Sequence, residues 1–236
     1  MNIFYDPSVK EGAFVLSGDE GRHGTKVMRL KEGDNMYISD GQGKIFEAEI
    51  IGINKKSECA VMVNKVFKYD APRIPKLHIA IAPTKSIDRF EWFLEKATEC
   101  GIDEITPIIC KNSERTRIKP ERLEKIIVSA MKQSKRAWLP KLNPIIEYDK
   151  FIKNASEENR YIAFCPEGEK VYFEDVYKKG NNSLILIGPE GDFNQSEIAE
   201  ALNNKFVAIT FGDYRLRTET AGLVACTKFN TINGDL

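Results

Sequence analysis

Two rhythms of apolar and polar positions divide the chain. Up to about residue 70 the apolar positions form short alternating or β-branched runs, at residues 13–16, 36–39, 45–53 and 59–66. A period of two predicts strands with one buried face. Asp40-Gly41 follows one of these runs and signals a hairpin, because glycine takes the positive φ that tight turns need. Helical spacing in this part is confined to about residues 19–28. These features predict a small all-β, barrel-like module over residues 1–72. The stretch Asp70-Ala71-Pro72-Arg73-Ile74-Pro75 ends it, since two prolines interrupt ladder pairing.

From residue 73 to 236 strand and helix alternate. Strands are predicted at residues 77–82, 104–110, 161–165, 183–187 and 206–211. Residues 87–100 place Phe90, Phe93, Leu94 and Ala97 at helical spacing, and Gly101 stands where a helix C-terminus favours glycine. Pro120 opens a further helix at its first turn, with Leu123, Ile126, Ile127, Ala130 and Met131 on one face. Helices are also predicted at 195–202 and 218–229. Such alternation predicts an α/β domain whose mostly parallel sheet is covered on both faces. Sheets of this kind bind ligands at the carboxyl ends of their strands.

Composition narrows the class. The 236 residues are 42% hydrophobic and 30% charged, which suits a folded globular protein. No apolar run has the length of a membrane helix, and the first residues lack a basic-then-apolar secretion signal. The five cysteines form no CxxC pair and are expected to be reduced core residues of a cytoplasmic protein; two histidines argue against a structural zinc site. The 35 basic residues cancel the 35 acidic ones. Their distribution is uneven: residues 111–141 hold ten Lys and Arg against three acids, a net +7, whereas residues 154–175 carry a net −4. A segregated field can steer a polyanion to one face; a solvated helix laced with ion pairs accounts for it equally well.

The ends of the last two predicted strands carry the chemistry. One reads Ile187-Gly188-Pro189-Glu190-Gly191-Asp192-Phe193-Asn194, the other Phe211-Gly212-Asp213-Tyr214-Arg215-Leu216-Arg217-Thr218-Glu219-Thr220-Ala221. Glycines at 188, 191 and 212 permit sharp turns and close backbone approach. Asn194 with Glu197 three residues on has the form of a capping box. Two glycine-bearing turns at one sheet edge predict a pocket floored by main-chain amides and carbonyls, suited to an adenine or a carboxylate. GxGxxG and GxxxxGK[ST] are both missing, which disfavours a dinucleotide fold and a P-loop. His78 lies within a strand and has no serine partner in the pattern.

GPEGDF followed by LRTETA resembles the ribosomal RNA methyltransferases of the RsmE family, of the SPOUT class. The resemblance extends to His23, Val27-Met28-Arg29-Leu30 and Asp40-Gly41 in the first part, and to Lys96-Ala97-Thr98-Glu99-Cys100-Gly101, Ser113-Glu114-Arg115 and Gln133-Ser134 in the second. It implies a PUA-like barrel, a parallel sheet with a deep trefoil knot, a homodimer, and methylation of N3 of one uridine in 16S ribosomal RNA of the small subunit, with S-adenosylmethionine as cofactor. The implied cofactor contacts are Cys165, Pro166, Ile187, Gly188, Gly191, Phe211, Gly212, Leu216, Arg217, Thr218 and Ala221. Glu190 is a candidate base for the N3 proton, and Arg217 a candidate partner for charge on a uracil oxygen. Glu219 is a second carboxylate nearby, and also fits as a first-turn acid favoured by the helix dipole. Arg29, Lys111, Arg115, Arg117 and Arg136 are the implied RNA contacts. The chain departs from the family where Asp192 replaces a usual glycine, Tyr214 a usual arginine, and Arg215 a usual aliphatic residue. A non-catalytic RNA-binding protein and a ribose 2′-O methyltransferase of the same fold are the alternative readings.

Overall fold

The computed structural model describes residues 2–164, 168 and 170–236. The chain separates into two compact units, Met1–Pro72 with Val128–Leu139, and Arg73–Ile127 with Pro140–Leu236. In the first, β1 (Ile3–Tyr5), β2 (Gly12–Leu16), β3 (Asn35–Ser39), β4 (Lys44–Ile53) and β5 (Cys59–Tyr69) form a mixed sheet in the order β1-β3-β4-β5-β2. β1 runs parallel to β3 and the remaining neighbours are antiparallel. The β4–β5 register slips three times, between Ile45 and Phe46, Glu47 and Ala48, and Ile50 and Gly52. Bulges bend a strand and raise its twist. Phe4 and Leu16, from the two edge strands, accordingly share one core with Met36, Ile38 and Val61. The helical spacing near residue 20 forms α1 (Gly18–Arg22), which continues into a π-helical turn at His23–Val27. After β3, Asp40 Oδ1 accepts the amides of Gln42 and Lys44, and Gly41 has φ +69°.

The second unit contains β6 (Leu77–Ile81), α2 (Ile87–Cys100), β7 (Glu104–Ile109), β8 (Lys141–Leu142), β9 (Ile146–Glu147), α4 (Tyr148–Asn154), β10 (Asn159–Ala163), α5 (Phe173–Val176), β11 (Ser183–Ile187), α6 (Gln195–Asn203), β12 (Val207–Ile209) and α7 (Thr218–Asn233). α3 (Pro120–Gln133) begins in this unit and passes into the first. The strand order is β12-β10-β11-β6-β7-β8, every described pair is parallel, and β9 also pairs with β7. All residues of the central strands β6 and β11 are buried, which is why both read as unbroken apolar runs. Gly222 lets α7 approach them. A methyl group there would stand 2.7 Å from Phe93 Cε2 and 2.9 Å from Ile81 Cδ1. Gly101 caps α2 in the left-handed conformation, with φ +97°.

One expected strand is much shorter than the sequence pattern, and another is displaced from it by two residues. The run at 206–211 is a strand only over Val207–Ile209, because Thr210 leaves the ladder to bond the segment before α5, through its amide to Val171 and its carbonyl to Phe173. β10 begins at Asn159 and ends at Ala163. That shift frees the residues after both strands to form a pocket.

Candidate functional site

Because β10, β11 and β12 are parallel, their carboxyl ends meet at one sheet edge. The turn after β11 is fixed from several sides. Asn194 and Glu197 form the expected capping box at the start of α6, with the Asn194 side chain accepting from the Glu197 amide at 2.8 Å and Glu197 Oε2 accepting from the Asn194 amide at 2.9 Å. Glu197 is buried, and its other oxygen accepts the Lys111 amide at 2.8 Å. Asn112 Nδ2 donates to the carbonyls of Gly191 and Asp192. Asp192 has φ +64°, and its Oδ1 accepts the Phe193 amide at 2.8 Å. This is the place where the resembled family carries glycine. Asp is one of the few side-chain-bearing residues that enter the left-handed region readily, so the departure keeps the turn.

The turn after β12 is joined to this one. Thr218 Oγ1 donates to the Gly188 carbonyl at 3.0 Å, and Arg215 Nη2 to the Glu190 carbonyl at 3.0 Å. Asp213 accepts from Tyr172 Oη at 2.8 Å and Lys170 Nζ at 3.1 Å. The Tyr172 hydroxyl first, then the ammonium, hold the Asp213 carboxyl below the ordinary range.

Between these turns lies a cavity of about 250 Å³. Its wall consists of Ala163 at the end of β10 with Phe164 after it, Ile187 at the end of β11 with residues 188–190 and Asp192 after it, and Thr210, Phe211, residues 214–218 and Ala221 after β12. Of the expected cofactor contacts, Ile187, Gly188, Phe211, Leu216, Arg217, Thr218 and Ala221 are in the wall, as are the candidate catalytic residues Glu190 and Arg217. Gly191 and Gly212 are not. Gly191 instead allows close packing on Asn112, whose Cβ would lie 3.1 Å from an added methyl, and the Gly212 carbonyl accepts from Thr210 Oγ1. Cys165 and Pro166 lie outside the described residues. Ala163, Phe164 and Thr210 were not singled out from the sequence. Their signal is positional, since Ala163 ends β10, Phe164 follows it, and Thr210 follows β12, each within the apolar run of its strand.

The wall combines apolar faces with open polar groups. Among the described residues, the main-chain N–H and C=O of Leu216 make no hydrogen bond. Glu190 Oε1 accepts the Lys85 amide at 2.9 Å, which fixes the carboxylate while its second oxygen makes no bond among the described residues. The Arg217 guanidinium is exposed and has no partner among them. Glu219 does not line the cavity. It is 7% exposed, its Oε1 lies 3.8 Å from Arg89 Nε, and its Oε2 has no hydrogen bond among the described residues.

The basic window is partly engaged within the protein. Arg122 pairs with Glu91, Lys141 with Glu104 and Lys132 with Glu20. Arg115 donates to the carbonyls of Thr84 and Lys85 at 2.9 and 2.6 Å, so it braces the loop whose amide holds Glu190. Lys111 Nζ donates to Ser196 Oγ at 2.8 Å. Arg117 is exposed with no partner among the described residues. Arg29, with φ +55°, is exposed and belongs to the first unit, as does half-buried Arg136.

Residues 72–230 match the family model described as RNA methyltransferase domain, and residues 16–62 the one described as RNA methyltransferase PUA domain. The sheet domain and the β module are thus those of the RNA methyltransferase class. Ribosomal RNA small subunit methyltransferase E of Buchnera aphidicola (subspecies Acyrthosiphon pisum) is 30% identical over 99% of this chain and 94% of its own length. The chain belongs to the ribosomal RNA small subunit methyltransferase E family. Among solved structures, a probable rRNA-methyltransferase from Porphyromonas gingivalis superposes with a TM-score of 0.91 at 41% identity, covering 99% of both chains. A ribosomal RNA small subunit methyltransferase E from Neisseria gonorrhoeae, bound to S-adenosyl methionine, gives a TM-score of 0.85 at 27% identity over 98% of both chains. Among the described residues no helix is long and apolar enough to cross a membrane.

Proposed function

We propose that this chain transfers the methyl group of S-adenosylmethionine to N3 of a uridine in the 16S RNA of the small ribosomal subunit. The observation that carries this reading is the makeup of the rim cavity. Ala163, Phe211, Leu216 and Ala221 supply apolar faces, and the Leu216 main chain, without a partner among the described residues, supplies a donor and an acceptor. An adenosine needs that combination, and the cavity, at about 250 Å³, is slightly smaller than the ~300–1,000 Å³ typical of small-molecule sites. Family membership and the S-adenosyl methionine bound by the Neisseria relative support the same choice.

When bound, the cofactor supplies an electrophilic methyl group on a sulfonium. Methyl transfer is an in-line displacement, so holding the partners in position contributes much of the rate. Thr218 and Arg215 provide that rigidity by tying the two turns together. Uridine N3 carries a proton at neutral pH. Glu190, oriented by the Lys85 amide, accepts it, and Arg217 stabilises the charge that develops on a uracil oxygen. Glu219 keeps a structural part at the first turn of α7, where an acid is favoured by the helix dipole.

Lys111, Arg115 and Arg117 in the second unit, with Arg29 and Arg136 in the first, contribute positive charge toward RNA phosphates. Phosphate contacts fix register and carry little sequence information. Cys165 and Pro166 complete the cofactor contacts in this reading. A trefoil-knotted sheet domain, a homodimer and a cytoplasmic setting belong to the same proposal, and sedimentation equilibrium tests the dimer.

The decisive experiment incubates the protein and labelled S-adenosylmethionine with small subunits from a strain lacking the corresponding gene. One labelled uridine, methylated at N3, is expected in the 16S RNA. Label on a ribose 2′-oxygen supports the sister chemistry instead, and cofactor-independent RNA binding without transfer supports a non-catalytic module.

A further inference from the structure

Tyr214 is 85% exposed, the most exposed of the large hydrophobic side chains among the described residues, yet it lines the rim cavity. Its neighbours are tied down. Asp213 is held by Tyr172 and Lys170, Arg215 by the Glu190 carbonyl, and Thr218 by the Gly188 carbonyl. The Tyr214 hydroxyl has no partner among the described residues. An aromatic ring held mostly in water on an anchored turn gains little from the protein's own packing. Its flat apolar faces are available to a flat ligand at the cavity mouth, with the cations Arg215 and Arg217 within three residues. Unpaired RNA bases are read by stacking on aromatic side chains of this kind.

We infer that Tyr214 is a stacking platform for an unpaired base of the RNA substrate, the target uracil or the nucleotide next to it. The inference rests on the methyltransferase reading above and adds a positioning residue to it. The ring holds a base against the mouth of the cavity, beside Glu190 and Arg217. The resembled family usually places arginine here, so this chain would perform the task with a neutral ring and keep a cation at the adjoining position 215.

Stacking depends on the ring and not on the hydroxyl. Tyr214→Ala is therefore expected to raise the KM for undermethylated small subunits roughly tenfold to a hundredfold, the range seen when a stacking aromatic is truncated. The rate at saturating subunits falls much less, as expected when binding common to ground and transition states is removed. Tyr214→Phe restores the KM, and the dissociation constant for S-adenosylhomocysteine, measured by calorimetry, changes no more than about threefold in either variant. An unchanged KM in Tyr214→Ala overturns the inference while wild-type activity stands. A parallel loss of cofactor affinity also overturns it, by showing that the ring is a wall for the cofactor. If Tyr214→Phe is as defective as Tyr214→Ala, a hydrogen bond and not stacking is at work. Should wild-type protein transfer no methyl group at all, the underlying reading fails, and this one with it.

Discussion

Replacing Thr218 with valine probes the link between the two turns. Thr218 is 4% exposed and the Gly188 carbonyl it serves is also buried. Valine has nearly the same shape, so packing is retained and only the donor at 3.0 Å is lost. A buried carbonyl left without a partner destabilises by about 1–3 kcal/mol. The Lys85 amide, the Asn112 amide and Arg215 still hold the same turn. The loss therefore falls on opening of residues 188–190 away from α7 more than on unfolding of the sheet. A ligand that needs the closed form then binds more weakly by the fraction closed, up to roughly a hundredfold for the upper value. Calorimetric titration of S-adenosylhomocysteine into wild type, Thr218→Val and Thr218→Ser measures this directly. The serine variant keeps the hydroxyl and is expected to bind like wild type. Equal affinity in wild type and Thr218→Val would refute the view that this bond organises the pocket.

Gly222→Ala pushes a methyl group to within 2.7 Å of Phe93. Overpacking of this kind costs about 1–3 kcal/mol, and thermal scans should show a lower midpoint, whereas an unchanged midpoint means α7 can retreat freely. Glu157 gives a pH signature. Burial raises its carboxyl, but the 2.6 Å bond to His78 Nδ1 and main-chain amides more than reverse this, leaving it below the ordinary 4.5. A depressed folded-state pKa contributes stability that is present above about pH 4.5 and is lost as pH falls through the folded value. Glu157→Gln should flatten that acid limb in urea titrations at pH 3–6; a limb of unchanged slope would contradict the assignment. Arg117→Glu should weaken RNA binding and lower the log–log salt slope by about one or more, leaving cofactor affinity intact. An unaltered slope removes Arg117 from the footprint.

The parts of the fold that the sequence discloses are those with enough residues to show a period. The alternation in β4 and β5, the apolar runs of β6 and β11 and the helical face of α2 are each long enough to be read, and Gly101, Pro120 and the Asn194–Glu197 box mark their boundaries. β1, β8 and β9 have two or three residues and leave no period at all. α4 is seven residues long and buries Tyr148 and Ile152, four apart, a span too short to establish a helical period. At the site, Ile187, Gly188 and the segment 216–218 were legible because strand-end glycines and a dense polar motif mark a turn that binds something. The partners of the charges were not legible. Arg115 sits in a basic window and looks like a phosphate contact, yet its guanidinium braces Thr84 and Lys85. Only the fold shows that the loop after β6 stands beside the turn after β11, so spacing along the chain carries no trace of it. Asp192 shows the converse. Its departure from the family's glycine is visible in sequence, but only its φ of +64° and its bond to the Phe193 amide show a turn preserved by other means.

Diffraction from crystals grown with S-adenosylhomocysteine addresses the main claim most directly. Density for the nucleoside between residues 187–190 and 215–218, with its polar edge on the Leu216 main chain, is the expected result. A saturated protein with that space empty and the ligand elsewhere would contradict the account.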